Sequence, residues 1–142
     1  MTPPAAPRPT LFIPVENEVR ELDPKLLLAC VAAERGYPAI LGPRREVELD
    51  VDLTRRGILL SKSMTIYSVL QFRATRALGH EVVSWDEEAL VHLPDAIYYS
   101  RRLHPRAVRA LSHVFAWGED NAALWRRGPV AEDYHALDRA GG

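Results

Sequence analysis

The sequence predicts an α/β fold, a doubly wound parallel sheet of about five strands. Five short apolar runs alternate with segments carrying helical signals, the order expected of strand–helix–strand units joined by right-handed crossovers. Several of the runs are apolar without alternation, as in strands buried on both faces. A chain of 142 residues can bury one real core, and 47% hydrophobic against 26% charged residues is a globular balance.

Residues 1–10, "MTPPAAPRPT", are rich in proline and lack the apolar stretch of a signal peptide, so they read as a flexible leader. Strand one is "LFIPV", Leu11 to Val15, expected to lie inside the sheet. The first helix is expected to start with Asp23 as N-cap and Pro24 in the first turn, and to stop at Gly36. Its "LLLACVAA" is apolar nearly all round, the pattern of a helix covered on two sides, and would bury Cys30 as a structural thiol. Strand two is "YPAILG", and "PRREVELDVDLTRRG" reads as a short helix or an irregular link.

Strand three is "ILL", followed by "SKSMT" and a helix to about Leu78. Tyr67, Leu70, Ala74, Ala77 and Leu78 keep helical spacing there, and Gly79 closes it. Strand four is "EVVSW", after which "DEE" is expected to open a helix running to about Tyr99. "HPRAVRALS" is a further short helix with Pro105 in its first turn, strand five is "HVFAW", and "GEDNAALWRR" is a turn and helix. One Rossmann-like domain thus spans 11–127, and the tail 128–142 carries no strong signal.

Charge and composition exclude several functions. A net charge of −1 gives no global attraction to nucleic acid or lipid. No apolar run approaches the roughly 20 residues of a transmembrane helix, and the expected compartment is cytoplasmic. One cysteine excludes a disulfide framework and a thiolate cluster within the chain, and the five histidines show no metal-ligand spacing, so no metal is expected. The basic residues are sixteen Arg and two Lys. Arginine grips planar anions bidentately, but a GC-rich genome produces the same bias.

In the predicted fold the residues after the strands share one sheet edge, where ligands of doubly wound proteins bind. They are Glu16; Ser61, Lys62 and Ser63; Asp86, Glu87 and Glu88; and Glu119 after Gly118. The first turn, "ENEVREL", has glutamates and no glycine, so it repels a pyrophosphate instead of cradling one, which disfavours an NAD-dependent enzyme. Glu16, Glu18 and Arg20 either line a crevice or form a solvated loop. "WDEE" reads in two ways: Asp86 as an N-cap with two carboxylates suited to the helix dipole, or Asp86 and Glu87 as nucleophile or general acid/base for glycosyl transfer. "SKSMT" either caps a helix or holds an anion through hydroxyls and Lys62; it lacks the glycines of a P-loop.

"IPVENEVRELDPKLLLACVAAERGYPAILG", "RGILLSKS", "LGHEVVSWDEEAL" and "FAWGEDN" together resemble the N-terminal half of bacterial surface carbohydrate biosynthesis proteins, which are glycosyltransferases of the two-domain GT-B architecture. The resemblance runs from about Leu11 to Arg127 in the same order. It implies an acceptor-side domain of a polysaccharide biosynthesis enzyme, with Asp86, Glu87 and Glu16 catalytic. Glu18, Arg20, Ser61, Lys62, Ser63, Glu88 and Glu119 would contact substrate. A sugar or glycan acceptor is implied, together with a nucleotide-sugar donor for the complete enzyme and no other cofactor. A second, nucleotide-binding Rossmann-like domain is expected after Arg127 and is missing, so the donor site would come from a domain in trans or from a homo-oligomer. A place at the inner membrane face is compatible with that role.

Trp117 and Trp125 lie where such a domain would dock, although Trp125 sits at a helical position from which it could pack onto its own sheet. The rival classes are a non-catalytic α/β binding or structural module and a phosphoacceptor receiver domain. The latter needs an aspartate at the end of strand three, where this chain has Ser61.

Overall fold

The computed structural model describes residues 7–54, 56–89, 91 and 93–140. Five strands, β1 (Thr10–Val15), β2 (Ala39–Pro43), β3 (Gly57–Ser61), β4 (Glu81–Trp85) and β5 (His113–Phe115), form one sheet in the order β2-β1-β3-β4-β5. Every pairing is parallel: Phe12 lies opposite both Ile40 and Leu59, and Leu59 opposite Val82. This is the doubly wound, Rossmann-like fold expected, with β1 inside the sheet and the order reversing between β1 and β3.

The helices are α1 (Glu18–Glu34), α2 (Arg44–Leu53), α3 (Ser68–Ala77), α4 (Asp95–Arg102), α5 (Pro105–Val108), α6 (Glu119–Arg127) and α7 (Ala131–Ala140). Side-chain alternation sorts them. Phe12 and Leu59 point to one face and pack on Val47 and Val51 of α2. On that same face Val82 joins Phe72 of α3, Tyr98 of α4, Val108 of α5, Trp125 of α6 and Tyr134 of α7. Ile13 and Leu60 point to the other face and pack on Ala29 of α1. Among the described residues α1 is the only helix on that side, so Phe115 and Trp117 are about half exposed there.

Several sequence expectations change. The N-cap of helix α1 lies six residues before Asp23: Asn17 caps it by accepting from the Arg20 N–H at 3.3 Å, and Glu18 and Glu21 in the first turn suit the dipole. "ENEVREL" is therefore largely helix, and Pro24 lies within it, having no N–H to offer the Arg20 carbonyl four residues back. Gly36, with φ +81°, ends the helix as expected. Among the described residues nothing covers the outer side of α1: Leu26, Leu27 and Cys30 are exposed, which corrects the buried thiol. On α3 the buried face is Ser68, Val69, Phe72 and Thr75, whereas Tyr67, Leu70 and Leu78 face outward. Both stripes have helical period, and the one holding Phe72 fills the core.

"DEE" opens no long helix. Pro94 disfavours helical backbone at the residue before it, and α4 starts just after it at Asp95. The ambiguous link after strand two is α2. The tail folds as α7, with Tyr134 buried edge-on against Trp125. Trp125 is buried and donates from Nε1 to the Tyr98 hydroxyl at 2.9 Å, so the second of its two expected placements holds. His80, just before β4, is buried and accepts the Gly57 N–H on Nδ1 at 2.9 Å. His92 lies outside the described residues.

Candidate functional site: a charge-lined cleft at the strand ends

Parallel strands deliver their following residues to one edge, and at this edge a chain of alternating charges crosses the ends of β1, β3 and β4. Arg44, the first residue of α2, donates from Nη1 to Glu16 Oε1 at 2.8 Å. The other Glu16 oxygen lies 2.9 Å from Lys62 Nζ. Lys62 also donates to Glu21 Oε1 at 2.8 Å. Glu21 Oε2 accepts from Lys25 at 3.0 Å and from the Glu16 N–H at 2.9 Å. Lys25 further contacts the Pro14 carbonyl at 2.8 Å and Glu87 Oε1 at 3.0 Å, and Trp85 Nε1 donates to that same Glu87 oxygen at 2.9 Å.

The local sequence explains the arrangement. Glu21 and Lys25 are four residues apart on α1 and so share a face. Both are buried, and a buried charge is tolerable only with partners, which Lys62 and Glu87 supply from neighbouring strand ends. Burial would raise the Glu21 pKa, but the hydrogen bonds from Lys62, the Glu16 N–H and Lys25 outweigh it and hold the carboxyl at about 2 instead of 4.5. Against the same effect of burial, Lys62 and Arg44 keep Glu16 low as well. Burial works in the opposite direction on Lys62, and Glu16 and Glu21 overcome it to raise that ammonium. The glutamates are fixed anions, suited to hold charge and accept hydrogen bonds and unsuited to donate a proton at neutral pH.

Beside this network, between α1 and the ends of β3, β4 and β5, opens a cleft of about 320 Å³. Its floor and walls are Glu21, Lys25, Lys62, Glu87 and Glu88, with Arg20 and Pro24 of α1 on one side and the indoles of Trp85 and Trp117 on the other. The two indole rings meet edge to face, with centroids 6.3 Å apart. Glu87 Oε1 takes both protein hydrogen bonds, and neither its Oε2 nor the Arg20 guanidinium has a side-chain partner among the described residues. The cleft thus offers two flat apolar faces, an acceptor and a planar donor.

Not all expected site residues meet here. Arg20, Lys62, Glu87 and Glu88 line the cleft. Glu16 stands one step away in the charge chain, beside a smaller hollow that it shares with Ser61 and Ser63. Ser61 Oγ donates to the Ser63 carbonyl at 3.1 Å, and α3 starts only at Ser68 with no side-chain cap, so "SKS" does not sit at a helix N-terminus. Asp86 is buried among the helices of the opposite face and ion-pairs with Arg102 of α4. Arg102 also holds Glu88 at 2.6 Å. Glu18 lies at the exposed start of α1, and Glu119 pairs with Arg126 at 2.9 Å; neither lines the cleft.

Comparison with known proteins adds no family to this description. No family model, curated protein or solved structure matches the chain.

The sequence reading missed Glu21, Pro24, Lys25 and Trp85, and saw Trp117 only as a boundary residue. One signal pointed to part of this set. In a chain with sixteen arginines, both lysines, Lys25 and Lys62, stand in this one network. Among the described residues no group of three or more His, Cys, Asp or Glu could hold a metal, and no helix is long and apolar enough to cross a membrane.

Proposed function

We propose that the cleft receives a sugar or glycan acceptor, and that the chain is the acceptor-side domain of a glycosyltransferase of surface polysaccharide biosynthesis. The nucleotide-sugar donor would be held by a second domain. The observation carrying this reading is the pair of indoles, Trp85 and Trp117, set against Glu87 Oε2 and Arg20. A sugar ring has apolar C–H faces that pack on aromatic planes, and hydroxyls that donate to carboxylates and accept from guanidinium. Of the three carboxylates expected to be catalytic, Glu87 alone lines the cleft. As general base its Oε2 would take the proton of an acceptor hydroxyl while that oxygen bonds to the donor's anomeric carbon and the nucleotide leaves with the electron pair. Work at the cytoplasmic side, within reach of the inner membrane face, belongs to the same reading.

The test is titration with a panel of mono- and oligosaccharides, followed by tryptophan fluorescence and amide NMR shifts. Binding is expected, weakened at least tenfold in Trp117→Ala and in Glu87→Gln, with shifts centred on 20–25 and 85–88. If no saccharide at millimolar concentration perturbs either signal, the acceptor reading is wrong. A second reading, a non-catalytic α/β binding module, is favoured by the way Glu16, Glu21, Lys25 and Lys62 satisfy one another. Saccharide binding with no glycosyl transfer from any nucleotide sugar, even with a co-expressed donor domain, would select it.

A further inference from the structure

Two short stretches of the sequence share one pattern: "RATRA" at 73–77, in α3, and "RAVRA" at 106–110, which covers most of α5 and the two residues after it. Residues three and four apart lie on one helix face. In both stretches the first, fourth and fifth residues line the same open concavity of about 480 Å³, so Arg73, Arg76 and Ala77 share it with Arg106, Arg109 and Ala110. No Asp or Glu lines it among the described residues. Gathering four guanidiniums is unfavourable in itself, and like charges at helical spacing destabilise the helix that carries them. A GC-rich genome accounts for the number of arginines, but not for the meeting of two like pairs beside two alanines.

Two of the four are anchored. Arg76 donates from Nη1 to Glu81 and to the Ser112 hydroxyl. Arg109 donates from Nε to Asp133 Oδ1 at 3.0 Å. The remaining nitrogens of both, Nε and Nη2 of Arg76 and both Nη atoms of Arg109, have no acceptor among the described residues. Arg73 and Arg106 have no side-chain acceptor there either. Four guanidiniums against the carboxylates of Glu81 and Asp133 leave two positive charges uncompensated.

We propose that this concavity binds the diphosphate group of a small soluble ligand, with one arginine pair to each phosphate. Guanidinium forks match phosphate oxygens two at a time, and two like pairs suit an anion with two like ends. The volume is that of a small-molecule site. With a net charge of −1 the attraction is local to the hollow, whereas a nucleic-acid strand or a lipid surface draws on charge spread over a wide face. Glu81 opens β4 and Ser112 stands just before β5, so the arginines lie at the sheet edge where these strands begin, and the cleft lies at the edge where they end. The site is therefore separate from the saccharide cleft, and it stands or falls apart from the glycosyl-transfer reading.

Calorimetric titration with pyrophosphate at physiological ionic strength tests the proposal. A one-to-one complex is expected, weakened at least tenfold in Arg73→Ala with Arg106→Ala. Both side chains are exposed, so the circular dichroism spectrum and the urea midpoint of that variant should not move. Arg73→Lys with Arg106→Lys keeps the charge and loses the forks, and is expected to bind several-fold more weakly than the wild type. Orthophosphate, which engages one pair at a time, should bind at least tenfold more weakly than pyrophosphate. Trp117→Ala, in the cleft, should leave the pyrophosphate affinity unchanged. No saturable heat with millimolar pyrophosphate overturns the proposal, as does an alanine variant that binds like the wild type. A lysine variant as tight as the wild type also overturns it, by reducing the site to diffuse charge. Co-sedimentation with phosphatidylglycerol vesicles, or binding of a single-stranded oligonucleotide, in place of pyrophosphate binding overturns it and assigns the arginines to that larger partner.

Discussion

Glu21→Gln isolates the contribution of the charge network to stability. Glutamine has the shape of a protonated glutamate, so the substitution imposes at neutral pH the state that acid would produce. The carboxyl titrates at about 2 in the folded protein against 4.5 ordinarily. At about 1.4 kcal/mol per pH unit, that difference contributes on the order of 3 kcal/mol at pH 7. Because the folded pKa is depressed, the contribution is complete above pH 4.5 and is lost as the pH falls from there through 2. Lys25 keeps Glu87 and Lys62 keeps Glu16 in the variant, so neither ammonium is stranded. Urea denaturation reads the effect. With a slope of about 2 kcal/mol/M the Glu21→Gln midpoint at pH 7 falls by about 1.5 M. The gap between variant and wild type should then close steadily below pH 4.5, while Glu16, also depressed, leaves both proteins some acid sensitivity. A variant within about 0.5 kcal/mol of wild type at pH 7, where most surface substitutions fall, would show that the buried ion pairs merely offset their own desolvation.

Two further substitutions separate framework from site. A Cβ at Gly57 would lie 2.3 Å from the Phe12 ring and 2.7 Å from the Thr10 carbonyl, so Gly57→Ala is expected to cost about 1–3 kcal/mol in thermal or urea unfolding. An unchanged melting temperature would mean that Phe12 has room to move aside. Asp86→Asn leaves Arg102 with only Glu88 and should cost on the order of 3 kcal/mol, as breaking buried pairs does, without changing saccharide affinity per folded molecule. A stable variant with lost binding or lost transfer would return Asp86 to the reacting centre.

The fold was legible where local pattern and packing agree. The apolar runs of β1 and β3 and the stop at Gly36 needed no tertiary information. Legibility failed where a side chain answers to a distant partner. Asp23-Pro24 is a sound helix start, but Glu21 is drawn into helix by Lys62, whose residue lies 41 positions along the chain. Asp86 is a good cap whose oxygens Arg102 takes from the far end of α4, 16 residues on. The outward stripe of α3 has the same period as the inward one, and period alone cannot choose a face. The strand-end positions followed from topology; which of them open to the cleft depended on the pleat. Trp85 and Glu87 turn to the face of α1, and Ser84 and Asp86 to the other, so neighbours in "SWDEE" belong to different environments.

The seating of both lysines in that network has a practical consequence. Their side chains are only 6% and 16% exposed and their nitrogens are held by carboxylates, so the folded chain gives an acylating reagent almost no side-chain amine to attack. Release of α1 from the strand ends would uncover Lys25 and Lys62 together. Amine labelling followed by mass spectrometry, restricted to these two side chains, thereby becomes a clock for the opening of this edge, and ligand in the cleft should slow it.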